Sequence, residues 1–182
     1  MKRLLRTTPV FLSLILAVSS AASGQKTYAV ALGGGAAIPV GKLNDAQKTG
    51  SSAIAALAIG VADLPVGVRF DGIYNNLPAR AQTGGATSSD LRVMGALANL
   101  IFAFPGTSAK PYVIVGGGLY NSKADLSGAK SQNNFGVNAG LGATFGIGPF
   151  AIFLESRYHS ISRNVKKGGV FQFVPITLGV MF

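Results

Sequence analysis

The single histidine of the chain, His159, stands in the string LESRYHSIS together with Glu155, Arg157, Ser160 and Ser162. A histidine beside serines suggests nucleophilic chemistry, in which the imidazole takes the proton of an attacking hydroxyl. That chemistry needs the base and the hydroxyl on one side of the chain. Here Phe150, Ile152, Leu154 and Tyr158 alternate with Glu155, Arg157 and His159, which is the period of an extended strand. Ser160 and Ser162 then face away from His159. No Asp or Glu follows the histidine to orient its ring. Catalysis is not expected from this pattern.

The string carries charge on one face, and a second string matches it. In VGVRFDGIY, Arg69 and Asp71 lie opposite Val66, Val68, Phe70 and Tyr74. With Arg92 placed on the inner side of its own strand, Arg69, Asp71, Arg92, Glu155, Arg157 and His159 make up one inward-facing ionic set. Charges enclosed in a narrow protein interior must be paired, because an isolated buried ion costs several kcal/mol. The set is expected to close the interior as a polar network. The alternative is a charged constriction in a narrow porin passing ions or small solutes.

The elements that position these residues are short. The chain has 182 residues, 25 of them Gly, no Cys, no Trp, 12% charged residues and a mean hydropathy of +0.41. Residues 1–24 have the form of a secretory signal peptide: Lys2, Arg3 and Arg6, an apolar core from Val10 to Val18, then SSAASG, with cleavage expected after Ala22 or Gly24. Beyond it no apolar run reaches the roughly 18 to 20 residues of a spanning helix. Instead there are eight segments of about ten residues, the length of a tilted membrane-spanning strand. They run over 28–38, 53–61, 66–74, 91–104, 112–120, 135–145, 150–159 and 170–182, joined by connections that alternate between long and short. In the last, Val174, Ile176, Leu178, Val180 and Phe182 share one face, while Pro175, Thr177, Gly179 and Met181 share the other. All five tyrosines, 28, 74, 112, 120 and 158, fall near strand ends with Phe104, Phe135, Phe145, Phe150 and Phe182, as two interfacial girdles would require. The pattern predicts an all-β fold: one eight-stranded antiparallel up-and-down transmembrane β-barrel over 25–182, with both ends in the periplasm.

The signal peptide, the RFDGIY and LESRYH strands and the closing PITLGVMF together resemble the small eight-stranded outer-membrane β-barrel family (the OmpA transmembrane domain, OmpX and opacity-type proteins). The alternating set ending at Phe182 resembles the assembly signal of such barrels. The resemblance implies a cell outer-membrane location, assembly by the outer-membrane barrel-assembly machinery and a monomeric state. The His/Ser pair also bears a weaker resemblance to outer-membrane lipid A deacylases, which leaves a lipid A-modifying enzyme as a third reading behind a structural barrel and a porin.

Partners follow from charge. The formal net charge is +10, but the basic residues are scattered singly and no nucleic-acid motif appears. Lys42, Lys48, Arg80, Lys123, Lys130, Arg163, Lys166 and Lys167 fall in the long connections against Asp45, Asp90 and Asp125. Such loops are expected to be solvated, or to meet the phosphates and acidic sugars of lipopolysaccharide. The glycine runs lack a helix behind them, so they are not phosphate loops. With one histidine and no cysteine, neither a metal site nor a cofactor is expected. The reading is an outer-membrane barrel with an envelope-structural or surface-interaction role and no enzymatic activity.

Overall fold

Alternation along each strand decides which residues face the interior, and the eight alternations join into a single cylinder. The computed structural model describes residues 26–61, 64–81, 89–126, 128–162 and 169–182. The elements are β1 (Lys26–Val40), α1 (Lys42–Ala46), β2 (Gly50–Val61), β3 (Val66–Leu77), β4 (Leu91–Ala103), β5 (Ala109–Ala124), β6 (Gln132–Ile147), β7 (Phe150–Ser162) and β8 (Val170–Met181). Each strand pairs antiparallel with the next, and β1 pairs with β8, so the sheet is a closed up-and-down barrel. The seam runs from Ala31 opposite Met181 to Val40 opposite Gln172. Beyond it, Val30 and Phe182 exchange backbone hydrogen bonds of 2.7 and 2.9 Å. No edge strand is left open, which is the condition for strands in a medium that offers backbone groups no partner.

The faces sort as the sequence predicts. On β1, Ala31 and Ala37 are buried on the small inner face. On β3, Val66, Val68, Phe70 and Tyr74 are exposed, while Arg69 and Asp71 are buried. On β8, Ile176, Leu178, Val180 and Phe182 are exposed, and Val174 lies on the same outer parity. A band of exposed Leu, Val, Ile and Phe encircles the cylinder, including Leu119 and Leu141 at 65% each. A continuous apolar exterior of this kind marks a membrane-facing surface rather than a soluble one.

Four expectations are corrected. Tyr112 and Tyr120 are not girdle residues: both are buried on the inner face of β5, at 5% and 0% exposure. The glycine triplet 116–118 between them hid that strand's parity. The other predicted members are exposed at the strand ends, Tyr28, Phe104, Phe145, Phe150 and Phe182 at the end with short turns and Tyr74, Phe135 and Tyr158 at the end with long loops, and Phe102 joins the first group. Arg92 is outward, because the inner parity of β4 belongs to Leu91, Val93, Leu97 and Asn99. Finally, the first long connection is not all loop. It holds α1, whose Leu43 is buried in the core cluster with Leu77 and Phe173. Gln47 bridges to Ala79, and Lys48 N–H donates to the Pro78 carbonyl at 2.8 Å, fastening this segment to the next loop. The leader 1–24, Arg163, Lys166 and Lys167 lie outside the described residues.

Placing a cation on the apolar band tests the sorting directly. Leu141→Arg, near the middle of β6, is expected to destabilise the barrel by about 2–4 kcal/mol in lipid, measured by urea unfolding in vesicles.

Candidate functional site

Arg69 and Asp71 lie on β3, and Glu155 and Arg157 on β7, four places away in a ring of eight and therefore on opposite walls. Their long side chains meet across the interior. Arg69 Nε donates to Asp71 Oδ1 at 2.9 Å, while its Nη2 and Nη1 reach Glu155 Oε1 and Oε2 at 2.8 Å each. Arg157 Nη1 contacts Asp71 Oδ2 at 2.7 Å, and its Nε contacts Glu155 Oε1 at 2.8 Å. Every arginine thus touches both carboxylates and every carboxylate both arginines. The four charges sum to zero, and all four side chains are at most 3% exposed.

Neutral groups take up the remaining capacity. Asn99 Nδ2 donates to Asp71 Oδ2 at 2.9 Å, and Asn138 Nδ2 to Asn99 Oδ1 at 2.9 Å. Tyr112 OH donates to Glu155 Oε2 at 2.7 Å. Five consecutive strands, β3 to β7, therefore share one hydrogen-bonded cluster. It fits because the inner face of β6 carries glycine. A Cβ at Gly140 would collide with the Cγ of Arg157, and one at Gly142 with the Tyr112 ring. These glycines are sockets for neighbouring side chains, not phosphate loops.

His159 is apart from the charge cluster, nearer the loop end. Its ring is fully buried and stacks on Phe173, with centroids 4.9 Å apart and planes 7° from parallel. Its Nδ1 is 2.8 Å from the Tyr120 hydroxyl. Ser160 and Ser162 lie on the opposite face of β7, as the alternation predicts, so the histidine's partner is a phenol rather than a serine. Among the described residues no group of three or more His, Cys, Asp or Glu could hold a metal ion.

Of the predicted interior set, Arg69, Asp71, Glu155 and Arg157 come together, His159 is inward but separate, and Arg92 is absent. Arg92 Nη2 instead pairs with Asp125 Oδ1 at 2.9 Å in the open, the two side chains 43% and 60% exposed. Asn99, Asn138 and Tyr112 bond to the charge cluster, and Tyr120 to His159. Asn138 was visible on the inner parity of its strand, whereas Asn99 sits in an apolar run with no readable parity. At the rim, Lys42, Lys48, Lys123 and Lys130 are exposed, and Arg80 donates to Asn44 Oδ1 at 3.1 Å.

A closed eight-stranded barrel with an apolar belt, a polar core and aromatic girdles defines the class: the chain has the fold of the small eight-stranded outer-membrane β-barrels. The solved structure of Neisserial surface protein A is similar to it, with 22% identity over 89% of this chain and 98% of that one, and a TM-score of 0.64. A major outer membrane protein from Thermus thermophilus is also similar, at 14% identity over 86% and 99% of the two chains and a TM-score of 0.54. The attachment invasion locus protein Ail of Yersinia pestis, in complex with the heparin analogue sucrose octasulfate, matches at 14% identity over 86% and 97%, with a TM-score of 0.51. No family model matches the sequence. No curated protein matches it either.

The energetics of the cluster can be separated from its existence. Arg157→Met leaves two buried carboxylates sharing one arginine and is expected to cost about 3–5 kcal/mol. Replacing Arg69, Asp71, Glu155 and Arg157 together by apolar residues of similar volume is expected to be far less damaging than that single change. Urea midpoints of the folded, heat-modifiable gel band compare the two.

Proposed function

We propose that the protein is an outer-membrane barrel with an envelope-structural or surface-interaction role and no catalytic activity, its interior plugged by the ionic cluster. The observation that carries this reading is the complete mutual pairing of Arg69, Asp71, Glu155 and Arg157 across opposite walls. A neutral, fully bonded ring has no spare charge to draw an ion through, and separating its members would expose buried charge. Burial of Leu43, Leu77, Leu91, Val93 and Phe173 supports closure at the loop end as well. In this reading residues 1–24 are a cleaved signal peptide, the barrel-assembly machinery recognises Val174 to Phe182, and the mature chain is a monomer.

The long loops then face outward, and Lys42, Lys48, Lys123 and Lys130 present cations at the outer surface, where lipopolysaccharide phosphates lie. That Ail, a barrel of the same fold, is described with a polysulfated heparin analogue supports a surface role for such loops. The lipid A-modifying alternative lacks support from His159, whose Nδ1 is engaged by Tyr120 and whose neighbouring serines face away.

Planar-bilayer recording tests the plug. The purified barrel is expected to give no steady conductance at neutral pH; reproducible unitary channels would favour the narrow porin instead. Incubation with lipopolysaccharide is expected to release no acyl chains, and their release would overturn the non-catalytic reading.

A further inference from the structure

The lipid-facing wall is not uniform. Across β2 to β6, toward the loop end, it is indented by a cavity of about 680 Å³. Its floor consists of outward positions with almost no side chain: Ala55, Gly72 and Ala96 are direct cross-strand partners in one row. Its walls are Tyr74, Met94 and Leu119, which are 40%, 54% and 65% exposed. The indentation runs across the strands. Because barrel strands tilt by roughly 35–45°, that direction is oblique to the membrane normal, so a chain descending from the surface can lie along it.

Directly above stand two cations of the same outward parity. Arg92 is two residues beyond Met94 on β4, Lys123 is two beyond Asn121 on β5, and the two are register partners. Lys123 is exposed. Arg92 meets Asp125 through Nη2 in an exposed pair, and exposed pairs of this kind contribute little. The guanidinium therefore keeps donors for a second oxyanion. Tyr74, in the girdle at this end, fixes the level: the cations lie where headgroups lie, and the groove where acyl chains begin.

We propose that this groove and its paired cations form a binding site for the phosphorylated, multiply acylated glycolipid of the outer leaflet, lipid A. Its phosphate sits between Arg92 and Lys123, and one acyl chain packs against Gly72 and Ala96 between Tyr74, Met94 and Leu119. The charge of the rim and the apolar floor select a lipid that combines an anionic head with chains. Small floor residues let that chain approach the sheet closely, gaining dispersion contacts that bulky outward side chains elsewhere on the wall prevent. The site deepens the surface-interaction reading and rests on its placing of the loop end in the outer leaflet.

Native mass spectrometry of the detergent-extracted full-length protein, titrated with hexa-acylated lipid A, tests it. Arg92→Gln with Lys123→Gln is expected to weaken binding about tenfold. Gly72→Leu with Ala96→Leu fills the groove and is expected to weaken it comparably. A Cβ at Gly72 meets nothing nearer than the Ala55 carbonyl oxygen at 3.9 Å, so the interior is not disturbed. Lys110→Gln, an exposed position at the short-turn end of β5 and away from the groove, is expected to leave binding unchanged. Equal binding by all variants overturns the site. So does displacement of lipid A by an equal concentration of phosphatidylglycerol, or a dimer of the wild-type chain that groove filling dissociates. Heat-modifiable migration and cleavage of the loops by protease on whole cells are read in parallel. Their loss in the wild type would sink the outer-membrane reading, whereas their retention with unaltered lipid binding would sink this site alone.

Discussion

The pairing of β1 with β8 is the constraint on which everything else depends. Hydrocarbon offers no partner to a backbone N–H or C=O, so a sheet can live there only when its first and last strands meet. In this chain the seam continues to the exchange of hydrogen bonds between Val30 and Phe182. Once the ring is closed, each strand has one face toward lipid and one toward a narrow enclosure. The apolar belt and the polar core are two consequences of the same closure.

Closure also sets the terms for the interior. An eight-stranded barrel is wide enough for side chains to fill and too narrow for a broad aqueous channel. Arginine and carboxylate side chains from opposite walls are long enough to meet at the centre, while Phe153 fills the space beside Gly33 of β1 and Gly179 of β8. Gly140 and Gly142 matter for the same reason, since each accommodates a large group from an adjacent strand. The inner face is thus arranged by volume as much as by polarity. A ring of two arginines and two carboxylates satisfies both demands, because it spans the interior from wall to wall and leaves none of its own charges uncompensated.

The exterior obeys a looser rule, which is why it can vary. Lipid accepts any apolar side chain, so nothing in the solvent requires small residues at Ala55, Gly72 and Ala96. Their alignment in one cross-strand row depends on register: Ala55 opposite Gly72, and Gly72 opposite Ala96. The same register places Arg92 beside Lys123. A surface that is merely oily along each separate strand becomes a shaped surface only when the strands are laid side by side.

Particular residues show how far the sequence alone could reach. The parity of β3, β6, β7 and β8 was legible, because a strand between two different solvents must alternate and Arg69, Asp71, Asn138, Glu155 and His159 stand on the face opposite a strongly apolar one. Parity is illegible on β4 and β5, where both faces are apolar or glycine carries no signal, and there the sequence alone misplaces Arg92 inside and Tyr112 and Tyr120 outside. The eight strands, the faces of those that alternate clearly and the closing strand were therefore written in local periodicity. The bonding of Arg69 to Glu155, 86 positions apart, the phenol on His159 and the row of small residues under Arg92 were decided by tertiary structure alone. They depend on which walls stand opposite and on the stagger between neighbours, distances in space that a period of two along one strand does not encode.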